Sequence, residues 1–195
     1  MRFLLGKMKI IGFVHNELTS ERINELRSEW SLVLKGDSCL LNGRKPFFLP
    51  DWSEEVGYTP CIILRVSRLG KEIELRFADR YYDAVAYGAD FAALDILREA
   101  QATGRAWTQA LVFDYSLAIG EYEPTPVPSL KGREYNGKEL TLSPEEAIME
   151  ASKVMTIRQG DLIYIQAKQA PQVVHKEDII RVEIDGEEKL YCKVK

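Results

Sequence analysis

The chain is poor in the residues that build disulfide frameworks, metal cages and nucleic-acid surfaces. Its three cysteines, Cys39, Cys61 and Cys192, are an odd number at wide spacing, and no CxxC pair occurs. That usage excludes a disulfide scaffold and a structural zinc site, and it fits a reducing, cytoplasmic compartment. The two histidines, His15 and His175, lie far apart and lack the short spacing of a metal-binding pair. No apolar run reaches the roughly 18 residues of a membrane span, and Arg2, Lys7 and Lys9 interrupt the apolar start. Neither a membrane partner nor a signal peptide is expected. No Lys/Arg cluster is longer than two residues, and 26 basic against 30 acidic side chains leave a formal charge of −4. Neutralising phosphates takes a concentrated basic face, so nucleic acid is not an expected partner.

What remains is globular. A chain of 195 residues with 46% hydrophobic and 29% charged content buries roughly 70% of its unfolded surface and needs no staple to hold a core. The sequence predicts one domain over residues 8–195, preceded by an extension over residues 1–7.

The elements can be read in order. Ile10, Ile11, Gly12, Phe13 and Val14 form an apolar strand, and Ile23, Leu26 and Trp30 at helical spacing predict a covering helix within residues 16–30. Residues 31–77 are short β-rich pieces, with strands expected at 61–66 and 72–77 joined by a tight turn. The best helical stretch is 82–102, interrupted at Gly88, with a start near Asp90. Strands are expected at 110–113 and 117–122, followed by a proline-marked loop or sheet edge at Pro124, Pro126 and Pro128. Asn136-Gly137 marks a hairpin, because both residues tolerate positive φ. Ser143-Pro144-Glu145-Glu146 announces a helix with a capping box. A buried strand at 162–165 and a closing hairpin around Asp185-Gly186 end the chain. The pattern is α+β and β-dominated, a mixed β-sandwich roll with a few short helices. Pro60 lies inside one expected strand and removes a ladder donor, so an edge or bulge is expected there.

The landmarks follow in a recognisable order: Lys45-Pro46-Phe47-Phe48, Pro50-Asp51-Trp52-Ser53, Tyr58, Leu69-Gly70-Lys71-Glu72-Ile73, residues 88–95, Phe113-Asp114, Ile119-Gly120, Asn136-Gly137, Met155-Thr156 and Gly160-Asp161. From Met8 onward the chain resembles the fumarylacetoacetate hydrolase family. The resemblance implies a twisted β-roll, a homodimer, and hydrolysis, decarboxylation or isomerisation of small β-dicarbonyl and 2-oxo acids. It also implies Mg²⁺ or Mn²⁺, which stabilises a developing enolate as a Lewis acid. In that family two glutamates two residues apart on one strand, together with an aspartate, hold the cation.

At the matching positions this chain departs from the family. The two glutamate positions fall on Thr59 and Cys61, and only Asp90 keeps a carboxylate. The arginine before Asp95 is Leu94, the substrate lysine is Leu111, and the Thr-Gly-Thr-Pro loop reads Ile165, Gln166, Ala167 and Lys168. Gly12 survives from the glycine-arginine-asparagine start, but no lid His-Glu pair can be placed. One carboxylate does not hold Mg²⁺, so no cofactor is expected unless Glu54, Glu55 or Glu121 replaces the missing ligands.

The individual residues also admit ordinary roles. Asp90 is expected to cap a helix, and Cys61 to be a small buried hydrophobe. Asp95 and Asp114 are candidate polar anchors. Two function classes follow. The first is a non-catalytic homologue that binds or assembles, with a small 2-oxo acid or dicarbonyl as ligand. The second is an enzyme of altered, metal-independent chemistry that uses Asp90, Asp95 or Lys168 as acid, base or anion clamp.

Overall fold

The computed structural model describes residues 8–16 and 29–195. The N-terminal extension and most of the expected covering helix lie outside the described residues. The strands are β1 (Ile10–His15), β2 (Trp30–Lys35), β3 (Leu40–Asn42), β4 (Val56–Val66), β5 (Tyr82–Ala93), β6 (Leu117–Ile119), β7 (Glu123–Pro124), β8 (Leu130–Lys131), β9 (Glu134–Tyr135), β10 (Lys138–Glu139), β11 (Leu162–Gln166), β12 (Gln172–Val173), β13 (Ile179–Ile184) and β14 (Glu187–Lys193). The helices are α1 (Leu94–Thr103), α2 (Thr108–Leu111) and α3 (Pro144–Val154).

Among the described residues the main sheet runs β2-β1-β11-β4-β5-β6-β3, with β12 beside β4 and β7 beside β5. The connection between its two ends dictates its shape. Only residues 36–39 separate β2 from β3, a stretch that spans at most roughly 18 Å from Lys35 to Leu40. Seven strands laid flat would put those strands roughly 29 Å apart. The sheet must therefore curl until its two ends approach, which makes it a roll with an inside and an outside.

Each face carries its own core. Phe13, Ile62, Leu64, Tyr87, Phe91 and Ile165 belong to the larger cluster, with Ala147, Ile148 and Ala151 of α3. Phe47 stacks on Phe91 at 3.8 Å between ring centroids. Ile10, Val14, Cys61, Ile63, Ala86, Leu117, Ile119, Leu162 and Tyr164 form the second cluster on the opposite face. Strand alternation assigns neighbours to opposite faces, so β5 sends Val85, Tyr87 and Phe91 to the first cluster and Ala86, Gly88 and Asp90 the other way.

Several expectations hold. Asn136 (φ 46°) and Gly137 (φ 71°) join β9 to β10. The Ser143 hydroxyl accepts from the Glu146 backbone N–H, and the Glu146 carboxylate accepts from the Ser143 N–H, completing the capping box. The closing hairpin is β13–β14.

Others are corrected. The expected helix at 82–102 is strand β5 up to Ala93, and α1 starts only at Leu94, with Ala93 as its N-cap. Asp90 is thus mid-strand and caps nothing. Pairing with β4 from Val56 to Val66 overrides the helix propensity of its alanines. Residues 72–77 are not a strand: Glu72 has φ 53°, and a 3-10 segment occupies Leu75–Tyr81. There the chain docks on α3, with Glu72 N–H donating to the Ser152 carbonyl and Ile73 N–H to the Ser152 hydroxyl. The expected strand at 110–113 is instead the single turn α2. The strand from Leu117 stops at Ile119, and at Gly120 the Lys189 carbonyl passes so close that no Cβ would fit. Trp30 begins β2 rather than ending a helix.

Pro60 is resolved by strand exchange. In an antiparallel ladder the N–H and C=O of one residue point to the same neighbour. The Pro60 carbonyl accepts from Ala167 N–H, at the place where β11 ends opposite Cys61 and β12 begins opposite Tyr58. The missing donor falls in that gap.

Candidate functional site

The curl brings Lys35, the last residue of β2, to the inner face of the roll. Its ammonium lies 2.8 Å from Asp90 Oδ1, and the two side chains are 0% and 3% exposed. The same nitrogen donates to Ser116 Oγ at 2.8 Å and to the Ser116 carbonyl at 3.3 Å. The ammonium thus donates twice to Ser116 and faces Asp90 Oδ1 as an ion pair, without a hydrogen bond to that oxygen. The Tyr164 ring lies on another side, with its centroid 5.8 Å from Nζ.

Asp90 is fixed from its other oxygen. Gln166 Nε2 donates to Oδ2 at 2.7 Å, and Gln166 Oε1 accepts the His15 backbone N–H at 2.8 Å. Thr141 holds the Gln166 carbonyl through both its N–H and its hydroxyl. The polar chain runs from Lys35 through Asp90 and Gln166 to the backbone of β1.

Register explains how the small residues make room. Thr59 pairs with Asp90 across β4–β5, and Cys61 pairs with Gly88. A Cβ at Gly88 would come within 2.9 Å of Cys61 Sγ. Gly12 pairs with Tyr164, whose ring lies flat across it, so a Cβ at Gly12 would sit 2.0 Å from Tyr164 Cζ. Burial pushes the Cys61 thiol well up, with Asp90 adding to the shift and Lys35 opposing it. A thiol held protonated in this way is a small packing group, not a nucleophile. Burial likewise raises Tyr164, and the Asp90 carboxylate beside its hydroxyl acts in the same direction.

Thr59, Cys61 and Asp90 lie together across the β4–β5 ladder, as the family resemblance implied, and the other candidates do not join them. Leu94 is buried at the start of α1 and packs on Gly57, while Leu111 is buried in α2. Ile165 faces the opposite core, and Ala167 is buried where its N–H meets Pro60. Asp95 accepts from Ser53 Oγ at 2.7 Å and from Glu54 N–H at 2.9 Å, pinning the loop before β4. Burial would raise its carboxyl, but these hydrogen bonds outweigh that and hold it below its usual value. Lys168 pairs with Glu139 at 2.8 Å and Glu29 at 3.0 Å, and the hydrogen bond to Glu139 raises its pKa. It is a committed cation rather than a base. Asp114 is exposed.

The replacement carboxylates do not reach the cluster. Glu54 and Glu121 are exposed, and Glu55 is engaged by Arg98 at 2.7 and 3.1 Å. Among the described residues no three His, Cys, Asp or Glu side chains converge as a metal site. The donors around Asp90 are one carboxylate, an amide, hydroxyls and a thiol, with an ammonium already on the carboxylate. Hard divalent cations need several oxygen ligands of compensating charge, and this set does not fit one. A separate cleft of about 370 Å³, lined by Asp79, Tyr82, Pro126, Leu130 and Glu145 among others, shares no lining residue with the cluster.

Lys35, Ser116 and Tyr164 are the site residues that sequence reasoning missed, and Gln166 was noted only as part of the altered Thr-Gly-Thr-Pro segment. Lys35 carried a faint signal, as a lysine in phase with Val33 on a largely apolar strand.

Comparison with known proteins places this geometry. Residues 14–195 match the family described as Fumarylacetoacetate (FAA) hydrolase C-terminal. The chain belongs to the fumarylacetoacetate hydrolase family. A mitochondrial oxaloacetate decarboxylase from Dictyostelium discoideum is 24% identical, covering 92% of this chain and 89% of that protein. A mitochondrial oxaloacetate tautomerase from Mus musculus is also 24% identical, over 90% and 87%. Among solved structures, fumarylpyruvate hydrolase from Pseudomonas aeruginosa, in complex with Mn²⁺ and pyruvate, superimposes with a TM-score of 0.72. Its identity is 19%, and the match covers 96% of this chain and 88% of that one. The 5-carboxymethyl-2-hydroxymuconate delta-isomerase from Mycobacterium smegmatis gives a TM-score of 0.74 at 18% identity, covering 96% and 78%. These structures share the β-roll. No helix among the described residues is long and apolar enough to cross a membrane.

Proposed function

We propose that this chain is a non-catalytic member of the fumarylacetoacetate hydrolase family, a homodimeric binding or assembly protein without divalent-cation chemistry. The observation that carries the reading is the buried Lys35–Asp90 pair. The one carboxylate left at the family's ligand positions is consumed by an internal ammonium, so it is available neither to a cation nor to a substrate proton. Thr59 and Cys61 supply no charge beside it, and the Tyr164 ring fills the space over Gly12. Enolate chemistry needs a Lewis acid or a preorganised donor at the developing oxyanion. Here the strongest donor is already neutralised.

A second reading is favoured by the relatives that carry oxaloacetate in their names over nine-tenths of this chain. In it the chain still turns over a small oxo acid by metal-independent chemistry. One assay separates the two. Oxaloacetate tautomerisation and decarboxylation are followed with and without protein, each in buffer containing millimolar Mn²⁺ or a chelator. The expected result is that protein adds nothing to the buffer and metal controls. Turnover above those controls that falls in Asp90→Asn would overturn the non-catalytic reading.

A further inference from the structure

A divalent ion and a lysine ammonium are both compact, strongly hydrated positive charges that oxygen ligands can replace water around. In this roll the Lys35 ammonium sits on Asp90 and acts on the neighbouring Cys61 thiol, while Thr59 pairs directly with Asp90 across the ladder. It thus lies among the three positions that family membership gives to the cation's ligands. We propose that Lys35 is the resident cation of this site, a tethered monocation held by Asp90 Oδ1, Ser116 Oγ and the Ser116 carbonyl.

Charge accounting makes the substitutions a set. Removing two carboxylates and a dication while adding one ammonium leaves a single carboxylate facing a single positive charge, a neutral interior pair. Loss of the dication alone would leave three carboxylates facing one another inside the roll, and loss of the two glutamates alone would leave the dication under-compensated. The surroundings agree, since the ammonium donates to both Ser116 oxygens and is paired in charge with Asp90 Oδ1. Lys35 also cannot swing out to admit another ion, because its backbone is paired with Ile10 and its side chain is fully buried. The proposal shares with the non-catalytic reading the exclusion of a divalent ion, yet it stands or falls whether or not turnover remains.

The consequence is a latent site for a small primary ammonium. Lys35→Ala should leave a cavity ending at Asp90 and Ser116 that propylammonium fills and tetramethylammonium, with no N–H, does not. The test is thermal melting of the full chain with 50 mM-scale chloride salts of each amine, matched in ionic strength by NaCl. Lys35→Ala is expected to melt roughly 10 °C below wild type, and propylammonium to restore about half of the loss by mass action. Neither control salt should do so, and the rescue should vanish in Lys35→Ala/Asp90→Asn. An unchanged melting temperature in Lys35→Ala, or equal effects of all three salts, would overturn the proposal. Wild-type protein supplies an arm that requires no variant to fold. The free six-line electron paramagnetic resonance signal of Mn²⁺ should persist undiminished at excess protein, and loss of that signal in wild type but not in Asp90→Asn would refute a tethered cation. Because these readouts are stability and spectroscopy, they can fail while the turnover assay holds, and the reverse.

Discussion

Each charge taken from water costs several kcal/mol, so a buried ion pair holds only when its partners are well placed and fully hydrogen-bonded. Lys35 and Asp90 lie 2.8 Å apart, with the ammonium donating to Ser116 and Asp90 Oδ2 accepting from Gln166, so removing one charge strands the other and makes their mutational response asymmetric. Lys35→Met keeps the aliphatic stem and leaves Asp90 uncompensated, with an expected loss of about 3–5 kcal/mol in urea unfolding. Lys35→Met/Asp90→Asn removes both charges and should regain most of that loss. Losses that simply add would show that the two groups are not coupled. Gly12 gives a steric counterpart. Gly12→Ala forces a methyl into the Tyr164 ring and should cost about 3 kcal/mol, much of it relieved in a Tyr164→Ala background. Of this site, Thr59 and Cys61 were legible because strand spacing puts them on one face, and Asp90 through the family resemblance. Lys35 was not, since its partner lies four strands along the curled sheet and no local pattern reports a counter-charge brought in by curvature.

At the scale of elements, local chemistry and tertiary pairing divide the chain between them. The α3 start was readable because everything that makes it is contiguous: the Ser143 cap, Pro144 and Glu146. Ser143→Ala is expected to cost about 1 kcal/mol. Glu146 adds a pH dependence. Its carboxyl is held below the usual 4.5 chiefly by the Arg133 hydrogen bonds, against burial, with the Ser143 N–H helping. A folded pKa depressed in this way gives stability that is complete above the unfolded value and fades as pH falls through the folded one. Glu146→Gln should therefore lower stability at pH 7 by about 0.5 kcal/mol, modest because Arg133 is partly exposed and solvent screens the pair. The gap to wild type should close in acid, as chemical denaturation at a series of pH values would show. A gap that widened in acid would contradict the assignment. Strand β5 shows the opposite balance. Its alanines favour a helix locally, yet Val85, Tyr87 and Phe91 recur at period two and pair against β4 over its whole length. Ala86 and Gly88 are small because their face must accommodate the buried cluster, a requirement invisible within the segment itself.

For the molecule as a whole, closure of the roll ties distant parts of the chain into one cooperative unit, and the C-terminal strand is part of that closure. Phe47 N–H donates to the Lys193 carbonyl, Leu49 N–H to the Lys195 carbonyl, and Lys195 N–H back to Phe47, each at 2.8 Å. Leu190, Cys192 and Val194 are 3%, 1% and 0% exposed within the larger core. Phe47 in turn stacks on Phe91, one residue from Asp90. Burial of an aliphatic side chain is worth about 1.5–3 kcal/mol, so deleting residues 187–195 removes roughly 5 kcal/mol of apolar burial, besides the hydrogen bonds that anchor the loop before β4. A domain of this kind has only about 5–15 kcal/mol of net stability. The truncated chain is expected to lose its cooperative melting transition and bind a hydrophobic dye, whereas Leu190→Ala alone, costing about 2–5 kcal/mol, should melt cooperatively at a lower temperature. A truncation that still melted sharply would mean that the roll closes without β14 and that the Phe47–Phe91 stack is held from β5 alone.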